Sequence, residues 1–335
     1  MMLVLPVLSS FALSLAGVIA FRWLALRTDR LRDVPNERSL HETPVVRGAG
    51  LAIVVGVLAV YTTYFGIEAN FVFVCTAGLV AVVGFLDDLY SLPVLPRLLC
   101  HVFAACALVY SSVPLDEFRN ALNTFVPGLG SLGPFALIFF IVWITNAFNF
   151  MDGIDGIAGM QGMTAGLGWM VYGLVAGESG FALIGSIILG ACAAFLILNW
   201  QPASVFMGDT GSTFLGFTLA SVPLIDVDHT GISLLDSALM SISFIWLFLF
   251  DTTYTRSRQL ITGKPFWKPH SEHLYQQLVV HGTSHQKVTL FFGLCGVLIS
   301  CFSALGYKIG FAFSLCLIVV FPILLLFWVR KKRLT

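Results

Sequence analysis

Amide and carboxylate side chains recur at intervals of three residues in one stretch of this chain, at Asn146, Asn149, Asp152 and Asp155. If the stretch is helical or nearly so, residues three apart are neighbours, and these four form a slowly rotating polar ladder. Gly153 within the stretch allows a ligand or another helix to approach the backbone closely. A ladder this polar between two apolar runs indicates ligand binding rather than packing.

A pair of adjacent acids, Asp87 and Asp88, ends another apolar run. Neighbours on a helix point about 100° apart, so the two carboxylates serve different partners if the helix continues through them. The alternative is a plain charged helix end at a membrane interface.

The stretch from Gly208 to Ser212 stands immediately before an apolar run and reads Gly-Asp-Thr-Gly-Ser. Unpaired backbone N–H groups at a helix start attract phosphate, and Asp209 is our candidate ligand for Mg²⁺ beside it. The alternative is an ordinary helix cap, since Asp, Thr and Ser all cap helices well.

Basic residues and histidines gather in a late polar stretch, where Lys264 and Lys268 precede His270 and His273. The two histidines, three residues apart, could share a helix face and donate to a pyrophosphate. A zinc pair is the competing idea, but neither a thiolate nor a third histidine lies close in the sequence. Arginines that are candidates for phosphates or lipid head groups, or simply topology signals, are Arg38, Arg47, Arg97, Arg256 and Arg258.

Membrane helices must position these residues, because the chain is 58% hydrophobic and only 11% charged, with a mean hydropathy of +0.91. Apolar runs of about 20 residues, enough to cross a bilayer, recur along its length. We predict a single all-α polytopic domain over residues 1–335, and we expect no nucleic-acid partner. The predicted spans, about eleven, are 3–24, 48–66, 71–86, 98–112, 133–149, 156–176, 181–198, 211–225, 234–250, 288–305 and 309–329.

The basic residues fix the predicted orientation, because one set of inter-span segments holds nearly all of them and the other holds only Arg119 and Lys308. Positive loops mark the cytoplasm, so the N-terminus is predicted to be periplasmic and the C-terminus cytoplasmic. The first run lacks a preceding basic region and is interpreted as a membrane helix rather than a signal peptide. The predicted cytoplasmic loops, which collect every acidic stretch described above, are about 27–47, 87–97, 150–156, 199–210 and 251–287.

Acids, amides, basic residues and glycines at one membrane face suit magnesium-assisted phosphoryl transfer with a lipid substrate. A transporter that uses the same acids for coordination is the main alternative. Transporter sites lie near the bilayer midplane, whereas these acids fall at the inside ends of spans. A lipid-phosphate phosphatase, which needs no nucleotide donor, is a second alternative.

The strings FLDD, NAFNFMDGIDG, FMGDTGS and HSEH, in this order, resemble the signatures of the polyprenyl-phosphate N-acetylhexosamine-1-phosphate transferases, of glycosyltransferase family 4 type. The similarity runs from about Arg38 to His273. It implies that undecaprenyl phosphate attacks the sugar-linked phosphate of a UDP-N-acetylhexosamine, with Mg²⁺ required and UMP released. Mn²⁺ is an expected substitute for Mg²⁺, and the bacterial inner membrane is the expected location.

The resemblance also implies roles, with Asp209 as metal ligand and Asp87 engaging the lipid phosphate. Asp152 and Asn149 would bind the nucleotide, and the late histidines would meet the diphosphate. The substrate-binding candidates are Arg47, Asn146, Asn149, Asp152, Lys264, His270 and His273, and the catalytic candidates are Asp87, Asp88, Asp155 and Asp209.

The late His-x-x-His motif most resembles the branch that initiates O-antigen, which implies lipopolysaccharide biosynthesis. The first cytoplasmic loop reads His41-Glu42-Thr43-Pro44 where the peptidoglycan branch carries Lys-Gly-Thr-Pro, and this departure argues against a muramoyl-pentapeptide donor. The lipid phosphate is already largely dianionic at neutral pH, so direct attack is favoured over a covalent aspartyl-phosphate. The sequence leaves open which N-acetylhexosamine is transferred and whether the protein forms a homodimer.

Overall fold

The computed structural model describes residues 3–28, 31–33, 45–68, 71–112, 123, 129–225, 232–263 and 272–334. These residues fold almost entirely into helices, as predicted. In chain order the helices are α1 (Val4–Ala25), α2 (Leu51–Phe65), α3 (Phe71–Tyr90), α4 (Val94–Ser112), α5 (Gly133–Phe150), α6 (Ile157–Ala176), α7 (Ser179–Asn199), α8 (Gly208–Ser221), α9 (Leu234–Phe244), α10 (Trp246–Ile261), α11 (Leu274–Val280), α12 (His285–Ile309) and α13 (Ala312–Leu334).

A helix occupies the place of each predicted span, but fewer helices have the length and hydropathy to cross a membrane. Seven described helices do, namely α1, α3, α4, α5, α7, α12 and α13. The pair α9 and α10, bent by 77° at Ile245, adds an eighth if it forms one broken span. Helices α2 and α8 have only 15 and 14 residues, and α6 carries five glycines. The count of eleven spans and the orientation of the termini therefore stay predictions.

Small residues bring α6 and α7 into backbone contact. A Cβ added at Gly166 of α6 would lie 2.6 Å from the Leu189 nitrogen of α7, and Gly185 of α7 faces the backbone of α6 in the same way. Between membrane helices the attraction comes mostly from close packing, which small residues permit. Beside this contact the buried Trp169 ring lies 5.0 Å from Phe181 and 5.3 Å from Phe244, measured between ring centroids. This core holds α6, α7 and α9 together.

Helix α8 is enclosed by protein along its whole length. It packs against α3 and α5, and each of its residues except Asp209 is buried. A helix that is buried all round belongs to the core of a bundle. Its first residue, Gly208, follows directly on a loop that pairs with the chain before α2, and this arrangement brings the predicted acidic stretches together.

The short strands β1 (Arg32–Asp33) and β2 (Val45–Val46) pair antiparallel, and β2 also forms a parallel bridge from Val46 to Val205. The pairing continues past the bridge, because the Ala49 nitrogen donates to the Phe206 carbonyl at 3.1 Å and the Gly50 nitrogen to that of Met207 at 2.9 Å. The segment after β2 is therefore fixed alongside the start of α8.

Candidate functional site

The carboxylate of Asp88 caps the N-terminus of α8. It accepts hydrogen bonds from the backbone nitrogens of Asp209 at 2.9 Å and Thr210 at 3.0 Å, and from the Thr210 hydroxyl at 2.6 Å. An acid at this position satisfies N–H groups that the helix leaves unpaired. Those two N–H groups therefore bind Asp88 in this structure, whereas the sequence led us to expect phosphate there.

Two glycines make this cap sterically accessible. Gly208 has φ of +73°, a conformation that favours glycine, and a Cβ there would lie 2.6 Å from Oδ1 of Asp88. Gly84, one turn before Asp88 on α3, faces the Asp209 carbonyl, which a Cβ would approach to 2.6 Å. Side chains at these two positions would push α3 and the start of α8 apart.

Arg47 reaches the same point from the segment that pairs with residues 205–207. Its Nε lies 2.8 Å from Oδ1 of Asp88, and its Nη2 lies 3.0 Å from Oδ1 of Asp209. The Asp88 side chain has no exposed surface, so its charge is compensated by Arg47 and by the donors on α8. The structure thus places the predicted Arg47 among the predicted acids.

Arg97 of α4 joins the remaining two acids. One of its nitrogens, Nη1, lies 2.6 Å from Oδ2 of Asp87 and 2.6 Å from Oδ2 of Asp209. The sequence named Arg97 only as one of several basic candidates and did not place it in the site. One feature of the sequence could have indicated its place, namely the short connection through Pro93. This connection turns α4 back on α3, so that Arg97 lies beside the acids at the end of α3.

The amides of α5 lie at different depths. The Asn149 side chain donates to the Ser212 hydroxyl at 2.9 Å and also to the Asp209 carboxylate. Asn146, one turn earlier, donates instead to the Val142 carbonyl at 2.7 Å within its own helix. Of these two amides, that of Asn149 contacts a carboxylate, whereas that of Asn146 bonds within its own helix.

Asp152 lies just after the end of α5, in the turn beside this cluster, and is partly exposed. Burial of its carboxyl group, with the negative charges of Asp209 and Asp88 adding to the effect, raises the pKa of Asp152 to about 8, while Arg47 acts in the opposite direction. The charges of the cluster therefore act on Asp152. It would be largely protonated at neutral pH.

Asp155, predicted as a catalytic residue, is not brought into this cluster. Its Oδ1 lies 3.3 Å from Nδ1 of His285, and its Oδ2 accepts from the Ala203 nitrogen at 3.1 Å. The polar ladder expected from the sequence breaks because α5 ends at Phe150 and Gly156, at φ +78°, turns the chain into α6. Asp155 thereby joins the loop before α8 to α12.

Of the late basic and histidine candidates, Lys264 and His270 lie outside the described residues. His273 is described and buried, with Nδ1 3.1 Å from Oδ1 of the buried Asp251. The next residue but one, Tyr275, donates its hydroxyl to the Phe150 carbonyl at 3.2 Å. His273 is therefore anchored next to the turn that carries Asp152.

Oxygen donors from separate helices thus converge on one point, with two guanidinium groups among them. Among the residues that the structure describes, no group of three or more His, Cys, Asp or Glu side chains is arranged to hold a metal ion. Mg²⁺, however, usually takes only one or two protein carboxylates and fills the remaining positions with water and phosphate oxygens. The carboxylates of Asp87 and Asp209 fit that requirement, as does the oxygen of the Asn149 amide.

The part of the chain that carries this site matches a known family. The model of a family described as glycosyl transferase family 4 matches residues 70–226, which include Asp87, Asp152 and Asp209. A probable undecaprenyl-phosphate N-acetylglucosaminyl 1-phosphate transferase of Bacillus subtilis is 29% identical over 302 residues, covering 86% of this chain and 76% of the relative.

Two further relatives extend the comparison. A decaprenyl-phosphate N-acetylglucosaminephosphotransferase of Mycobacterium leprae is 29% identical over 320 residues, covering 85% of this chain and 77% of the relative. An undecaprenyl-phosphate alpha-N-acetylglucosaminyl 1-phosphate transferase of Yersinia pestis is 25% identical over 318 residues, covering 90% of this chain and 83% of the relative. The motifs, the converging acids and these matches together support the assignment of this chain to the polyprenyl-phosphate N-acetylhexosamine-1-phosphate transferases of glycosyl transferase family 4 type.

Proposed function

We propose that this protein transfers N-acetylhexosamine-1-phosphate from a UDP-sugar to undecaprenyl phosphate and releases UMP. The observation that carries the proposal is the convergence of Asp87, Asp88 and Asp209 with Arg47 and Arg97. Phosphoryl transfer of this kind depends on positioning and on neutralising phosphate charge, and two arginines beside carboxylates that suit a divalent cation provide both.

The reaction balances without a general base. An oxygen of the lipid phosphate attacks the sugar-linked phosphorus, the bond from that phosphorus to the bridging oxygen breaks, and UMP leaves with the electron pair. Arg97, which lies beside Asp87 and Asp209, would neutralise charge on the reacting phosphates. Asp209 and Asp87 would hold Mg²⁺, or Mn²⁺ in its place, which supplies further charge neutralisation when bound.

The depth of the acids supports an enzyme over a transporter. Asp87 and Asp88 are residues 17 and 18 of the 20-residue α3, Asp209 is in the first turn of α8, and Asp152 follows the end of α5. Transporter sites are typically built near the bilayer midplane, where helices break. We propose that this end of the bundle faces the cytoplasm of a bacterium, across its inner membrane.

The finer assignments are also proposals. N-acetylglucosamine is the first sugar to test, because the three relatives described above are named for its transfer. The late histidine motif supports a role in initiating O-antigen rather than another envelope glycan. Accumulation of lipid-linked N-acetylglucosamine in cells that lack O-antigen initiation would test that role.

The decisive experiment measures UMP release by purified protein with undecaprenyl phosphate and a panel of UDP-N-acetylhexosamines, with and without Mg²⁺. We expect acceptor-dependent and Mg²⁺-dependent release with one donor, and loss of release in Asp209→Asn. Glu178→Gln is the matched control, since Glu178 is also a buried acid but lies at the opposite end of α6 and α7. Folded protein that releases no UMP with any donor would contradict the proposal and favour the transporter alternative.

A further inference from the structure

A second buried carboxylate, Asp251 of α10, organises a region next to the site but does not belong to the acidic cluster. Its side chain has no exposed surface and lies 3.1 Å from Nδ1 of His273. It also accepts from the backbone nitrogens of Leu274 at 2.9 Å and Tyr275 at 3.0 Å, and from the Thr255 hydroxyl at 3.2 Å. A buried carboxylate with this many donors is held in one orientation.

The groups that Asp251 holds contact the end of α5, next to the turn that carries Asp152. The Tyr275 hydroxyl donates to the Phe150 carbonyl at 3.2 Å, and the His273 and Phe150 rings lie 6.5 Å apart between centroids. Gly153 leaves room for the Tyr275 hydroxyl, which a Cβ at that position would overlap. Asp251 therefore fixes the start of α11 against the turn that carries Asp152.

The contact also bears on which nitrogen of His273 carries a proton. Because a carboxylate oxygen accepts, the contact favours the tautomer with the proton on Nδ1, in which Nε2 is the unprotonated nitrogen. In histidine–carboxylate pairs of this kind the carboxylate fixes the tautomer and the ring orientation, and it stabilises the charged ring when both nitrogens donate.

We propose that Asp251 is a positioning residue that acts through His273: it keeps Nδ1 protonated and holds Nε2 in place for the diphosphate of the sugar donor. The inference rests on the proposed function and extends it, because the donor is the substrate whose diphosphate His273 would meet. In this role Asp251 would contact neither substrate nor metal.

The test uses the full-length protein in detergent and the donor kinetics of four forms: wild type, Asp251→Asn, His273→Gln and the double variant. The asparagine is nearly isosteric, but it carries no charge and has one acceptor oxygen in place of two, which weakens the preference for the Nδ1–H form. We expect kcat/KM for the UDP-sugar to fall on the order of 10- to 100-fold, as when the orienting partner of a functional histidine is lost. We expect the double variant to be no worse than His273→Gln, since residues that act as one unit are not additive.

Two further measurements separate positioning from simple support of the fold. ¹⁵N spectra of histidine-labelled resting protein should show His273 protonated at Nδ1 in wild type and Asp251→Glu, but not in Asp251→Asn. Ser233→Ala removes a cap from α9, where the Ser233 hydroxyl accepts from the Asp236 nitrogen at 3.1 Å. This control should lose thermal stability without a change in the KM of the donor.

Each result bears on the inference. Unchanged kcat/KM in Asp251→Asn, or effects of the two substitutions that simply multiply in the double variant, would overturn it. A wild-type protein that releases no UMP would count against the proposed function alone, because the ¹⁵N spectra still decide whether Asp251 sets the state of His273. A ring protonated at Nε2 in wild type would overturn the inference regardless of activity.

Discussion

Asp87 and Asp209 meet at a single nitrogen of Arg97, each with a carboxylate oxygen 2.6 Å from Nη1. The two acids come from α3 and α8, so the guanidinium ties together helices that a pair of bare carboxylates would push apart. A divalent cation bound by Asp209 would compete with both Arg97 and Arg47 for the same oxygens. Metal binding would therefore be coupled to release of the arginines, whose guanidinium groups would then be available to the phosphates of the substrates.

Replacement of Arg97 by methionine should destabilise the metal-free protein, because two neighbouring carboxylates lose their shared cation. We expect a loss of about 1–3 kcal/mol, the usual range when a buried charged partner is removed. Addition of Mg²⁺ should restore more stability to this variant than to wild type, since the metal no longer competes with the guanidinium. Thermal unfolding with and without Mg²⁺ measures both effects. Arg330→Met, which removes an exposed arginine of α13, is the control and should respond to Mg²⁺ as wild type does.

Asp88 and Asp209 should respond differently to the same substitution. Asp88→Asn removes the charge from a cap with three donors and should cost about 1–2 kcal/mol with or without Mg²⁺. Asp209→Asn removes a carboxylate from a crowded cluster, so we expect little loss of stability in the metal-free state but loss of the Mg²⁺-dependent increase in Tm. A Mg²⁺ response that survives in Asp209→Asn and disappears in Asp88→Asn would reverse these two roles.

Gly208→Ala should abolish most UMP release, whereas Gly177→Ala should preserve it. Both glycines have positive φ, +73° and +85°, so both substitutions carry a backbone strain of about 1–2 kcal/mol. Only at Gly208 does the new Cβ also overlap the Asp88 carboxylate, while nothing lies within 4 Å of a Cβ at Gly177. Measuring Tm and UMP release in both variants separates the effect of backbone strain from that of displacing the Asp88 cap. Equal UMP release in the two variants would show that activity does not depend on the close contact between Gly208 and Asp88.

Asp152 should make the metal-free protein less stable as pH rises. Its pKa is about 8 in the folded chain, against about 3.9 when unfolded, so the folded state holds the proton more tightly across that interval. Its contribution to stability is therefore fully present below about pH 4 and is lost as pH rises through about 8. The unfolding temperature of Asp152→Asn should fall less between pH 5 and pH 8 than that of wild type. An identical slope in both would contradict the raised pKa.

The helices were predictable because apolar runs report burial in lipid or protein, and each predicted span coincides with a helix. The length of the helices was not predictable, since α8 is packed inside the bundle and need not match the thickness of the bilayer. The acids at the cluster were also predictable as types, but not their partners. Asp88 caps a helix 121 residues away, and Arg97 bridges to an acid 112 residues away. Such contacts depend on how helices pack, which local spacing does not contain.

Asp155 does not lie where its spacing in the sequence led us to expect it. Its spacing from Asn149 and Asp152 suggested a shared face, but the regular period ends where α5 ends. Beyond that point the chain follows a turn, and residues three apart no longer point the same way. Helical spacing is informative only within a helix, and the sequence alone did not show that α5 stops at Phe150.

The enclosure of α8 has a consequence for how the membrane acts on this protein. A change in bilayer thickness or lateral pressure acts directly on helices with exposed apolar faces, such as α13, whose Val319, Ile323 and Phe327 are each more than half exposed. It reaches α8 only through the helices around it. The carboxylate at its tip is therefore mechanically shielded from lipid, so that changes in lipid composition should alter the delivery of the long-chain acceptor more than the geometry at Asp209.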